Sequence, residues 1–375
     1  MTFTNLCIVT RNGVIENGYL RIENGLISDF GLGQGPMDAK RIDKSGLTAY
    51  PGFVDIHVHG SAGIDFMDAS PEEYETIAAS LYEEGVTTFL ATTLTSGEEA
   101  LAKVCESVAL AKEKVPSLGG IHFEGPYISE KYKGAQNPEF IRDPSIEEFD
   151  RLQKIAGGLI RYISLAPEKS GAMEFIRHVT KQGVHASAGH TDASFACVEE
   201  AIKQGLDHVT HTHNAMSPHH HRNPGVVTAA MYFEQLFTEV ICDKVHVCPD
   251  TLRTFYRIVG PDRFVAITDA LKVKHSDIQS FQLFGLDCVR KQDAAYLTSG
   301  PLAGSLLSMD QAFRNLKEVT GASPVELSKM TSTNAAKGLG FDDRGVILQG
   351  KLADLVLLDA NDQVQEVYKL GERVK

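Results

Sequence analysis

The middle of this chain alternates between two kinds of segment. Short apolar runs that read as buried strands recur at Phe53–Val58, Val86–Ala91, Gly120–Phe123, Tyr162–Ala166, Val184–Ala188, His208–Thr210, Glu239–Cys242 and Phe264–Thr268. Helical patterns lie between most of them. Strands joined by crossover helices pair in parallel and bury both faces, which is why these runs are largely apolar. Eight such units in about 220 residues have the length and rhythm of a (β/α)8 barrel of the TIM type, with a doubly wound open sheet as the alternative. Local signals agree. Ser70-Pro71-Glu72-Glu73 supplies an N-cap, a proline for the first helical position and a glutamate three past the cap, and Gly85 stops that helix. A second helix is expected over Ser194–Gln204, ending at Gly205.

The two ends read differently. Leu6–Val9, Gly18–Ile22 and Leu26–Phe30 are short strands set off by Asn12-Gly13, Asn17-Gly18 and Asn24-Gly25. Ala353–Leu358 and Gln363–Leu370 repeat the pattern near the C-terminus. The expectation is an α/β protein of two parts. A small β-sandwich domain is built from both chain termini, 1–50 and 345–375, and a barrel spans 51–344. A chain of 375 residues, 43% of them hydrophobic, is long enough to bury a large core and a small one. A net charge of −13 argues against nucleic acid as a partner. Cys7, Cys105, Cys197, Cys242, Cys248 and Cys288 form no CxxC pair and suit free thiols in a reducing compartment. Met1–Leu6 has no basic-then-apolar leader, and no apolar run approaches the ~18 residues of a membrane span. A cytoplasmic protein with no membrane partner is expected.

Chemistry gathers at the ends of the strands. His57 and His59 are two apart in a strand and so share a face with Phe53 and Asp55, opposite Val54, Ile56 and Val58. Ionisable groups on an inner barrel face are costly to desolvate unless something compensates them, and a divalent cation would. An isolated HxH is more often a hydrogen-bonded pair; the company it keeps reverses that reading. Glu124 ends the third strand before a Gly-Pro turn. His190 follows small residues at the end of the fifth. His211 ends the sixth, with His213 as rival and His211 preferred because it lies at the strand tip. Asp269 ends the eighth. Catalytic groups on a barrel collect at these C-terminal strand ends. Imidazoles and carboxylates suit zinc first, with iron, manganese or cobalt also accommodated, at one or two ions per chain. Such an ion makes water a usable nucleophile near neutral pH, and Asp269 would act as base and then as acid. The reading is a metal-dependent amide hydrolase.

These residues sit in PGFVDIHVHG (51–60), HFEGPY (122–127), KGAQNP (133–138), SAGHTDA (187–193), HNAM (213–216), RNPG (222–225), DKVHVCP (243–249), ITDA (267–270) and LAGS (302–305). The set resembles the amidohydrolase superfamily and, within it, the N-acetylglucosamine-6-phosphate deacetylases, over nearly the whole chain. The resemblance implies hydrolysis of the acetamide of an amino-sugar phosphate to acetate and the free amine. It implies Glu124, His190 and His211 as ligands of one ion, and His57 and His59, which occur in part of the family, as ligands of a second. It implies Asp269 as acid and base, and His246 as a substrate contact that polarises the acetyl carbonyl. Gln136, Asn214, Ala215, Arg222 and the Leu302-Ala303-Gly304 segment match sugar-phosphate contacts, and a homodimer is the usual assembly. Arg222 is the strongest phosphate candidate, followed by Lys131 and Lys133; the run His219-His220-His221 lies near it in the chain. Three positions depart from the family's pattern. Gln136 replaces a frequent histidine, Lys244 a glycine, and Cys248 another polar residue. These would tune the preference toward the galactosamine epimer or another N-acetylated sugar, or would be neutral. Rival readings are a deaminase or cyclic amidase, which HFEGPY, HNAM and Glu124 disfavour, and an inactive homologue, in which a ligand would be missing.

Overall fold

A computed structural model describes residues 1–37, 40–283, 285–292 and 294–375. Eight parallel strands run in order around one sheet: β1 (Phe53–Val58), β2 (Val86–Thr92), β3 (Leu118–Glu124), β4 (Ile160–Leu165), β5 (His185–Ala188), β6 (Leu206–Val209), β7 (Phe237–Ile241) and β8 (Phe264–Ile267). The first and last are tied just past their tips, where Asp269 N–H donates to His57 O at 2.8 Å and His59 N–H to Ala270 O at 2.9 Å. A helix follows each strand: α1 (Glu73–Glu83), α2 (Glu98–Ala111), α3 (Ile146–Ile155), α4 (Ala172–Lys181), α5 (Phe195–Gln204), α6 (Val226–Tyr232), α7 (Pro249–Val259) and α8 (Met309–Thr320). The fold is the expected (β/α)8 barrel, not an open doubly wound sheet.

The helix ends follow from local chemistry. Ser194 caps α5 by accepting from the Cys197 N–H, and Gly205 ends it at φ 113°, where a side chain would also press on Thr180. At α1 the signal is half realised. Glu73 accepts the Ser70 N–H at 2.8 Å, but the regular helix starts at Glu73 and has no side-chain cap.

Both termini build one further sheet. Its order is 372–373, 364–369, 355–358, 48–51, 2–10, 13–23 and 26–32, with 41–43 also paired to 2–10. Leu355–Leu358 pairs antiparallel with Thr48–Pro51 and so joins the two ends of the chain. Alternation along this strand sorts its side chains. Leu355 and Leu357 enter a small core with Leu6, Ile8 and Leu20, while Val356 and Leu358 join the large barrel core. A four-stranded antiparallel sheet between β8 and α8 (280–283, 286–291, 294–297, 302–305) was not legible in the sequence.

The barrel lumen beneath its C-terminal mouth is polar. His122 contacts the Ser164 hydroxyl at 2.7 Å, and Ser164 and Ser187 each meet the Thr210 hydroxyl at 2.6 Å. All four are fully buried.

Candidate metal centre and active site

The six residues expected to hold metal meet at that mouth. His57 lies in β1 and His59 follows it; Glu124 is the last residue of β3; His190, His211 and Asp269 each stand two residues past β5, β6 and β8. His190, His211 and Asp269 have φ of 47°, 27° and 49°. That left-handed backbone is uncommon for residues with side chains and concentrates at functional sites. It lets the chain leave the strand while the side chain still faces the axis.

The ligand atoms fall into two groups, each with all its atoms within 4.8 Å of one another: His57, His59 and Asp269, and Glu124, His190 and His211. One Glu124 oxygen receives the Nε2 atoms of His190 at 3.1 Å, His211 at 3.2 Å and His57 at 3.3 Å. The two Nε2 atoms of His190 and His211 are themselves 3.1 Å apart. The other Glu124 oxygen is 3.4 Å from His59 Nε2, which is 3.2 Å from Asp269. Among the described residues no lysine or arginine pairs with Glu124 or Asp269. His57 Nε2 is buried without a hydrogen-bond partner.

Lone pairs that converge like this repel unless a cation sits among them, so the donor set fits divalent metal. The electrostatics agree. Burial opposes protonation of His59, yet Asp269 and Glu124 lift its pKa to about 9. A place that holds a proton so firmly has a strongly negative potential, which a dication answers better.

Outer contacts fix these side chains. His57 Nδ1 meets Glu239 at 3.0 Å, and His190 Nδ1 meets the Tyr132 carbonyl at 2.8 Å. Gln136 donates its amide to Glu124 at 2.6 Å and accepts the Thr95 N–H at 2.7 Å. His122 packs edge-on against His57, with centroids 4.6 Å apart; burial, and then the charge of His57, keep its pKa well below the usual histidine range. Asp55, whose carboxyl burial raises to about 6, is held by the Thr268 hydroxyl at 2.6 Å. His213, the rival ligand, turns away to pack on Phe255, and burial lowers its pKa to about 4.

A cavity of about 320 Å³ opens over the centre. His59, Glu124, His190, His211 and Asp269 form its floor. Gln136, Asn214, Ala215, His246, Leu302, Ala303 and Gly304 line it, as does Lys131, which is paired to Asp192 at 2.8 Å. His246 Nδ1 is held by Asp243 at 2.5 Å; burial works against its charge, but Asp243 raises its pKa overall.

Three positions lie elsewhere. Arg222 is exposed and lines a separate recess with Asp192, Phe195 and Asn223. Lys244 pairs with Glu318 at 2.6 Å, and Cys248 is exposed at the start of α7; neither lines the cavity. Of the three departures from the family pattern only Gln136 reaches the cavity, and both ends of its amide are already bonded.

Sequence reasoning missed Glu239, His122 and Asp243, together with Leu283, which reaches the cavity from the four-stranded sheet. The available signal for Glu239 was an acid inside an otherwise apolar strand.

Residues 48–374 match the Amidohydrolase family. The N-acetylglucosamine-6-phosphate deacetylase of Bacillus subtilis (strain 168) is 40% identical over 370 residues, covering 96% of this chain and 93% of that one. The N-acetylgalactosamine-6-phosphate deacetylase of Escherichia coli O157:H7 is 33% identical, with 97% of each covered. Among solved structures, a mutant N-acetyl-D-glucosamine-6-phosphate deacetylase from Mycobacterium smegmatis, in complex with N-acetyl-D-glucosamine-6-phosphate, superposes with a TM-score of 0.95 at 32% identity, covering 100% of this chain and 99% of that one. With its barrel, its six converging histidines and carboxylates and relatives matched along nearly their whole length, this chain belongs to the amidohydrolase family.

Proposed function

We propose that this enzyme hydrolyses the N-acetyl group of N-acetylglucosamine 6-phosphate to glucosamine 6-phosphate and acetate, a step of amino-sugar metabolism. The observation that carries the reading is the barrel mouth, where six metal-type ligands meet, five of them at the floor of a pocket sized for one sugar. We assign two divalent ions, zinc foremost, one held by His57, His59 and Asp269 and one by Glu124, His190 and His211. Bound there, a divalent ion supplies Lewis acidity, which polarises a carbonyl and brings the pKa of water toward ~7.

The chain's own residues do the rest. Asp269, at the cavity floor, takes the proton of the attacking water as the new C–O bond forms. It then delivers that proton to the amine nitrogen as the C–N bond breaks, so that acetate and the free amine leave. His246, its Nδ1 anchored by Asp243, presents the opposite edge of its ring to the acetyl oxygen and stabilises the charge that develops there. Asn214, Ala215 and the Leu302–Gly304 segment shape the sugar site.

Arg222 lies outside the cavity of its own chain. We therefore place it across a homodimer, gripping the phosphate bound by the partner subunit, where a guanidinium fork suits it. We take residues 51–344 as the hydrolase unit, with the terminal sheet, 1–50 and 345–375, as a separate domain. The cytoplasm is our inferred location, supported by six free cysteines. No helix among the described residues is long and apolar enough to cross a membrane.

The test is acetate release from N-acetylglucosamine 6-phosphate by zinc-loaded protein, with the galactosamine epimer run alongside. Preference for the first substrate supports the assignment, and acetate from neither overturns it. Mixing inactive Asp269→Asn and Arg222→Ala proteins tests the dimer. Recovered turnover on exchange of subunits is expected, and none would return Arg222 to its own chain.

A further inference from the structure

Glu239 is an acid in the middle of β7, fully buried in the barrel lumen, and the hydrolytic scheme above does not use it. Burying a carboxylate costs several kcal/mol unless it is paired or well hydrogen-bonded. Among the described residues its only ion-pair partner is His57. The same carboxylate oxygen, Oε2, lies 3.0 Å from His57 Nδ1 and accepts the His211 backbone N–H at 3.1 Å. The other oxygen has no hydrogen-bond partner. The Glu239 carbonyl also accepts the Thr212 N–H at 2.7 Å, so the residue braces the turn that carries His211.

These contacts are unequal in kind. At His211 the carboxylate holds only backbone; the ring is aimed by the strand and its left-handed exit. At His57 it holds the ring itself. An imidazole whose Nδ1–H is taken by an acceptor keeps its Nε2 lone pair bare and fixed in direction. His57 Nε2 is the atom that faces Glu124 at 3.3 Å and Asp269 at 3.5 Å, buried and unpartnered. Of the other ligand rings, His190 has a carbonyl in this role, and His59 Nδ1 and His211 Nδ1 are both buried with no partner. The His57–His59–Asp269 group therefore rests on a single outer acceptor.

We propose that Glu239 is the positioning residue that lets the His57–His59–Asp269 group hold its own cation, so that the number of ions bound per chain is set from β7. The inference rests on the two-ion reading given above.

The experiment titrates zinc, against a competing chelator, into chelator-stripped full-length protein and its Glu239→Gln and Glu239→Leu variants. Melting temperatures are measured with and without zinc. An amide oxygen still accepts from Nδ1, so Glu239→Gln should keep both ions, with one bound about 10–100-fold more weakly. Glu239→Leu should bind one ion per chain, at parental affinity. The metal-free melting temperature of the Gln variant should stay at the parental value while its zinc-induced rise shrinks, a split that a purely structural role would not produce. Two ions bound at parental affinity in every variant that folds would overturn the inference alone, and so would an equal weakening of both ions. A single ion in the unmodified protein would overturn the two-ion reading and the inference with it.

Discussion

Strands β5 and β6 each carry one histidine just past the C-terminal tip and another lower in the strand, and the two levels behave differently. At the C-terminal mouth, His190 and His211 point their Nε2 atoms at one carboxylate oxygen and at each other, 3.1 Å apart. Lower in the strands, His185 and His208 flank Asp207, and each Nδ1 has its own carboxylate oxygen at 2.6 Å. Each cluster contains histidines and an acid within metal-binding distance. At the lower level each of these contacts pairs a donor with its own acceptor, so the Asp207 carboxylate is satisfied without an ion, although His208 Nε2 is buried with no hydrogen-bond partner. At the mouth four imidazole Nε2 atoms crowd one carboxylate, three of them on a single oxygen, instead of pairing off. Residue identity is thus common to both levels; the convergence on one carboxylate is what distinguishes a site from a well-made piece of structure.

The sharpest way to break this contrast is to remove divalent metal with a chelator. Turnover should fall to background and return with zinc, and the melting temperature should drop, because an ion bound only by the folded state stabilises it by about 4 kcal/mol at 1,000 times its Kd. Full activity in metal-free protein would erase the difference between the two levels. Next in size is Asp269→Asn, expected to lower kcat by roughly 10²–10⁴-fold with zinc still bound at the Glu124–His190–His211 group; a steady-state assay with metal analysis reads both.

At the lower level the expectation reverses. Asp207→Asn should leave kcat and zinc content unchanged and cost about 1–3 kcal/mol in denaturant unfolding, since a buried histidine loses its acceptor. The smallest effect is its pH dependence. Burial raises the Asp207 pKa, but His208 and His185 outweigh burial and leave it at about 2. A carboxyl depressed in the folded state stabilises above its unfolded pKa near ~3.9 and loses that contribution as pH falls toward the folded value. The stability gap between the parent and Asp207→Asn should therefore be complete above about pH 4 and close toward pH 2. A gap that stayed constant would mean that Asp207 acts through packing rather than charge.

Much of the barrel was legible because parallel strands buried on both faces leave apolar runs, and because turn residues punctuate them. The convergence of these histidines and carboxylates was legible because strand parity places His57 and Asp55 on one face and because the others lie just past apolar runs. The small sheet at 280–305 escaped because its outer strand, Ser280–Leu283, is only 4 residues long, too short for the alternation of Phe281 and Leu283 with Ser280 and Gln282 to stand out as a strand. Glu239 and His122 escaped for the opposite reason: a polar side chain facing a lumen looks, in sequence, like an interruption in an apolar run. Lys244 and Cys248 were misplaced by proximity in the chain. Lys244 has φ 67°, and its side chain runs to Glu318 rather than to the cavity.

The terminal sheet sets an order of events during synthesis. Thr48–Pro51 finds one of its two neighbours in Leu355–Leu358, and Val364–Lys369 adds the next strand outward. Some 300 residues separate these partners, so at about 5–20 residues per second the early strands wait roughly 15–60 s with an open edge. Open edges template pairing between chains. On a crowded polysome, the barrel's own emergence is what must keep neighbouring nascent chains from finding that edge first.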